Sequence, residues 1–211
     1  MSGIKTHWPK IMLGIYLAVF AFFAYKPRYF YLWITENSIA VAAAVFLIVC
    51  YFRKIRFSNL SYTLMTAALC CQTIGGHYCF AEVPFDFVTE LFGFERNNYD
   101  RLGHFMVGFF ALPVMEYLES REIVCNRRLN MILVILGIFG AAGIFEIIEW
   151  IYAEITYAEL GKTFLGSQGD IWDAQKDILC DGLGAIFTAV IFAICYKGKE
   201  VSRVIGYRKL V

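Results

Sequence analysis

The sequence predicts an all-α polytopic membrane protein: a single domain over residues 1–211, folded as a bundle of six transmembrane helices with both termini cytoplasmic. Three observations carry that prediction. The chain is 59% hydrophobic and 18% aromatic with a mean hydropathy of +0.59, far from the composition of a soluble domain. Apolar runs of roughly the length that crosses a hydrocarbon core recur at residues 9–25, 37–52, 59–80, 100–118, 129–156 and 173–196. Basic residues gather in alternate connections, as orientation by the positive-inside rule requires.

Each span can be justified in turn. Lys5 and Lys10 precede "IMLGIYLAVFAFFAY", and no small-x-small cleavage site appears before Lys26, so the first run is expected to be an uncleaved helix, extended at the interface by "YFYLWI". The second span is followed by "RKIR" and the fourth by "ESREIVCNRR". With both termini inside, the inner side holds Lys5, Lys10, Arg53, Lys54, Arg56, Arg121, Arg127, Arg128, Lys197, Lys199, Arg203, Arg208 and Lys209. The outer side keeps Lys26, Arg28, Arg96, Arg101, Lys162 and Lys176. Only Glu116, Glu119, Glu122 and Glu200 lie inward among the acids, which makes the outer face acidic. The segment 81–100, "AEVPFDFVTELFGFERNNYD", is aromatic and too charged to span, and is expected to lie along the outer interface as a short helix or lid. Seven cysteines, odd in number and with no C-x-x-C pair, read as small buried hydrophobes. A net charge of +1 suggests no nucleic-acid partner.

Ionisable residues inside the spans carry the functional reading. On the sixth, Asp170, Asp173, Asp177, Asp181 and Gly184 follow helical spacing along one face, and an ionised carboxylate facing lipid is costly. Capping accounts for Asp170 and Asp173 as well as a site does, but it does not reach Asp177 or Asp181. "GIFEIIEWIY" places Glu146 and Glu149 on one turn of the fifth span with Gly143, where two buried carboxylates repel unless protonated, paired or bound to a metal. "NNYDRLGHFMVG" sets His104 one turn below Asp100, with Arg101 as counter-ion or anion-binding group. His77 and Glu82 are a weaker contribution, His77 being more readily structural. Four helices thus bring carboxylates and imidazole to one depth, while their inner halves read as almost entirely apolar. That donor set suits Mg²⁺, Mn²⁺, Ca²⁺ or Zn²⁺.

The stretches "NNYDRLGHF", "FEIIEW" and "GSQGDIWDAQKDILCDGLGA", in this order, resemble those of the YjdF-like family of bacterial inner-membrane proteins over almost the whole chain. That family is distantly similar to VanZ-like proteins, whose Lys/Arg-x-x-His stretch, acidic residue and D-x-x-x-(N/D)-x-x-G pattern would correspond to Arg101 and His104, Glu146 or Glu149, and Asp177, Asp181 and Gly184. Asp181 stands where VanZ-like proteins usually carry Asn. The resemblance implies a multi-pass protein of the bacterial plasma membrane and, for VanZ-like members, an association with the cell envelope and glycopeptide tolerance.

The leading functional expectation is a metal-dependent hydrolase or transferase acting on an envelope lipid, such as a lipid-linked or glycolipid substrate, from the extracytoplasmic leaflet. His104, Glu149 and Asp177 would hold the metal, Asp173 or Glu146 would act as base or position water, Asp181 would join that catalytic group, and Arg101 would meet the headgroup. The alternatives are an ion-coupled transporter, in which the carboxylates relay cations or protons, and a non-catalytic envelope or resistance factor.

Overall fold

The computed structural model describes residues 2–155 and 168–205, and every described element is helical or a turn. The helices are α1 (Ser2–Phe23), α2 (Phe30–Phe52), α3 (Asn59–Tyr78), the short α4 (Asp86–Phe92), α5 (Tyr99–Val107), α6 (Ala111–Ser120), α7 (Arg127–Ile155), α8 (Asp173–Cys195) and α9 (Val201–Ile205). Three of them, α2, α7 and α8, are long and apolar enough to cross a membrane, and α1 adds a shorter apolar stretch, His7–Phe23. Lys162, Arg208, Lys209 and residue 156, the last of the fifth expected span, lie outside the described residues.

Two boundaries differ from the sequence expectation for clear reasons. "YFYLWI" opens α2 and does not extend α1, because Pro27 and the left-handed backbone at Lys26 (φ 50°) break the chain between them. Glu36 is thereby drawn two turns into α2, where it is buried. The expected span 100–118 is α5 and α6 joined by a 3₁₀ turn, Gly108–Phe110. Pro113 cannot donate to the carbonyl of Phe109, and the chain tightens just ahead of it.

α1 and α2 both pack on α3, α3 packs on α5, and α5, α6 and α7 pack on α8; no substantial interface joins α2 to α7. The tightest crossing is between α5 and α8, which run parallel. A Cβ on Gly184 would collide with the carbonyl oxygen of Phe105, and one on Gly108 with the backbone of Asp181, Gly184 and Ala185. Thr188 Oγ1 donates to the Gly108 carbonyl (3.1 Å), sealing the crossing from the other side. Below it an apolar layer of Ala111, Leu112, Met115, Ala185, Ala189 and Phe192 fills the core.

The half of the bundle beyond that layer, expected to be almost entirely apolar, holds buried polar side chains. Glu116 is fully buried and accepts from the backbone N–H of Ser58 (2.9 Å) and the hydroxyl of Tyr196 (2.7 Å), while Asn130 donates to the Met115 carbonyl (2.9 Å). These bonds pin α3, α6, α7 and α8 together at that end. Glu116→Gln should be tolerated, since its amide oxygen can serve Ser58 and Tyr196 can reverse its hydroxyl. Glu116→Ala strands a buried donor and should cost about 1–3 kcal/mol in thermal unfolding of the purified protein. A cost for the Gln variant equal to that for Ala would contradict this assignment.

Candidate functional site

The α5–α8 register builds the site. With the two glycines in contact, the residues one and two turns earlier on each helix fall side by side: His104 against Asp181, and Asp100 and Arg101 against Asp177. His104 Nδ1 lies 2.9 Å from Asp181 Oδ2. An ionised carboxylate only accepts, so Nδ1 carries the proton and Nε2 is left facing the cluster. Around Nε2 stand Asp100 Oδ1 (3.8 Å), Asp177 Oδ1 (3.8 Å) and Glu146 Oε1 (3.9 Å). Glu146 is about nine-tenths buried, and its Oε1 has no hydrogen-bond partner among the described residues.

Toward the end of the bundle a second layer is made of ion pairs. Asp173 Oδ1 receives Arg96 at 2.6 Å and Arg101 at 2.5 Å, and Arg101 also pairs with Asp177 and donates to Asp170 (3.4 Å). Lys176 Nζ closes on Asp170 at 2.6 Å. Asp170 precedes α8, where its Oδ1 accepts from the backbone N–H of Trp172 (3.0 Å). The Lys176 ammonium and that N–H hold the Asp170 carboxyl below the usual carboxylate range. A depressed folded-state value means this clamp contributes above the ordinary carboxylate pKa of about 3.9 and is lost as pH falls through the lower folded value. The gap in unfolding temperature between wild type and Asp170→Asn should therefore be constant near neutrality and close below about pH 4. A gap unchanged in acid would contradict it.

Alongside lies a cavity of about 260 Å³. Its polar lining is Glu36, Gln72, Asp100, His104, Glu149 and Asp181. Gln72 Nε2 donates to the carbonyl and carboxylate of Glu36 (3.2 and 3.3 Å).

Of the residues singled out from sequence, His104, Glu146, Asp177, Asp181, Arg101 and Asp173 meet in one cluster, with Glu149 on the cavity wall. Their parts differ in detail. Among the described residues, the group whose ligand atoms all fall within 4.8 Å of one another is Asp100, His104 and Asp177, with Asp100 where Glu149 is expected. Asp173 is held by two guanidinium groups, and both terminal nitrogens of Arg101 are engaged by carboxylates and by the Asp173 carbonyl. His77 stays outside, bonded through Nδ1 to the Phe23 carbonyl (2.8 Å), and Glu82 pairs with Arg28. Glu36 and Gln72 are functional-site residues that the sequence does not single out, since its second span starts at residue 37; an acid embedded in "YFYLWITENSIAVAAAVF" is the signal that marks Glu36.

Helices long and apolar enough to cross a membrane, packed around a buried cluster of carboxyl, guanidinium and imidazole groups, define an integral membrane protein. The family follows from the comparisons: a family model described as "Predicted membrane protein (DUF2238)" matches residues 8–198, and the chain belongs to that family. It is 36% identical over 173 residues to the "Inner membrane protein YjdF" of Escherichia coli strain K12, an alignment covering 81% of each chain. No solved structure matches.

Proposed function

We propose that the protein is a six-span, single-domain enzyme of the bacterial plasma membrane, with both termini cytoplasmic. A divalent cation at Asp100, His104 and Asp177 would act on an envelope lipid from the extracytoplasmic side. In this topology α1, α3 and the α5–α6 rod cross together with the three long helices. The observation that carries the reading is the setting of His104 Nε2. Its proton lies on the opposite nitrogen, held by Asp181, and three carboxylate oxygens stand 3.8–3.9 Å away. Two ligands on one ion, each about 2.0–2.2 Å from it, are separated by at most about 4 Å, so a cation fits between these atoms. The carboxylate behind the imidazole is the support that metal-bound histidines commonly have.

Within this reading the roles divide by what each side chain touches. Asp181 orients His104. Arg101 and Arg96 neutralise Asp173, and Arg101 holds Asp177 in place, a positioning task. Glu146, whose Oε1 lies beside the imidazole with no hydrogen-bond partner among the described residues, is the base that would draw a proton from water or a substrate hydroxyl, and the cation would polarise the bond under attack. Mg²⁺, Mn²⁺, Ca²⁺ and Zn²⁺ all suit a mixed carboxylate and imidazole set. The transporter alternative gains from Glu116 and Tyr196 at the far end, but the packed Ala111–Leu112–Ala185–Ala189–Phe192 layer interrupts any polar path.

The test is lipid profiling of cells that lack the protein and are complemented with wild type, Asp100→Asn, Glu146→Gln or Arg121→Ala. Enzyme function predicts one lipid that changes in the null strain, is restored by wild type and Arg121→Ala, and is not restored by the two site variants. Full restoration by both site variants would contradict it.

A further inference from the structure

We propose that the crevice between α2 and α7 receives one membrane lipid, a neutral long-chain alcohol whose hydroxyl sits at His104 and whose chain descends toward the bilayer centre. This deepens the lipid-enzyme reading above and rests on it for the direction of the chemistry.

The polarity of the cavity is ordered along the helices. Glu36, Asp100, His104 and Glu149 form the end nearest the ion-pair layer. One turn or more further along, Ile39 on α2, Val107 on α5 and Ala141, Ala142 and Phe145 on α7 form the rest. A lipid in the adjoining leaflet has the same order, polar head toward that end and hydrocarbon toward the middle. The crevice is also open: Val107 lies on the helix at the centre of the bundle yet is 42% exposed, and Ile39 across from it is 46% exposed. Both face the gap left because α2 and α7 share no packed interface. At that depth the surrounding medium is hydrocarbon, and the small side chains of Ala141 and Ala142 leave room for a chain to enter sideways.

Charge selects the head. Among the described residues, four carboxyl groups (Glu36, Asp100, Glu149 and Asp181) line the cavity against one imidazole, and no Lys or Arg does. Arg101, the nearest guanidinium, is turned onto Asp170, Asp173 and Asp177. A phosphate set among these carboxyl groups would be repelled by each one that is ionised and would find no ammonium or guanidinium among the described residues to pair with. A hydroxyl donates to a carboxylate, and it carries no charge to desolvate.

The experiment uses the full chain in lipid nanodiscs. The probes are a long-chain alcohol bearing a diazirine in its chain, and the phosphate monoester of the same alcohol, with labelled residues mapped by mass spectrometry. The alcohol should label residues 107 and 141–145, unlabelled alcohol should compete, and the phosphate ester should label them far less. Ala141→Trp should reduce that labelling about tenfold, while Leu136→Trp, on the lipid-exposed surface of the same helix, should leave it unchanged. Labelling spread evenly over exposed positions such as Leu136, or equal labelling by the phosphate ester, would overturn the proposal. Repeating the reaction with EDTA and with Mn²⁺ separates the two readings. Labelling of the crevice without any Mn²⁺ binding removes the metal site and leaves the crevice, whereas Mn²⁺ binding without crevice labelling does the reverse.

Discussion

His104→Ala should be the most damaging single change in the charged cluster. The imidazole is hydrogen-bonded to Asp181 and is the group around which Asp100, Asp177 and Glu146 converge. Removing it leaves Asp181 a buried carboxylate without its donor, which costs at least the roughly 1–3 kcal/mol of a neutral group left unsatisfied. The loss should appear as a lower unfolding temperature and a smaller folded fraction on gel filtration. His104→Gln, whose amide can still donate to Asp181, should recover most of the stability while failing to bind a divalent cation. Equal stability of wild type and the alanine variant would show that the imidazole holds nothing together.

Gly184→Ala should be as harmful for a different reason. The added methyl would meet the carbonyl oxygen of Phe105, a backbone atom with no rotamer by which to move away. Overpacking against side chains costs about 1–3 kcal/mol, and a clash between two helix backbones at their closest point should lie at or beyond the top of that range. Separating α5 from α8 would also draw His104 away from Asp181, so the variant should lose the site together with stability. Gly137→Ala is the matched control, since nothing lies within 4 Å of the position its methyl would take. Melting curves of the two variants check this, and a stable Gly184→Ala protein would mean that the crossing is looser than described.

The outline of the fold is legible because the bilayer imposes it. The run from Arg127 to Ile155 announces a long helix by hydropathy alone, and the ends of α3 and α8 follow from where polarity changes. Much of the cluster is legible for the same reason, since Asp177, Asp181 and Glu146 stand out where charge is expensive. What hydropathy could not supply was register. Asp100 rather than Glu149 comes closest to His104 and Asp177 because Gly108 and Gly184 set the offset between α5 and α8, a matter of backbone contact between residues 76 apart. Glu36 escaped because a run of aromatics at an interface looks alike whether it ends one helix or begins the next, and Pro27 with Lys26 decides which. Glu116 reads only as an acid at the inner end of the fourth expected span until Ser58 and Tyr196 are brought to it from the ends of two other helices.

The central claim is that carboxylates and one imidazole from α5, α7 and α8 surround a single cation. Anomalous scattering from crystals of the protein grown with Mn²⁺ tests it most directly. The expected result is one peak about 2.0–2.3 Å from His104 Nε2 and from carboxylate oxygens of Asp100 and Asp177, absent in His104→Gln crystals. A map with no peak between α5 and α8 at saturating Mn²⁺, and His104 bonded only to its neighbouring carboxylates, would contradict it.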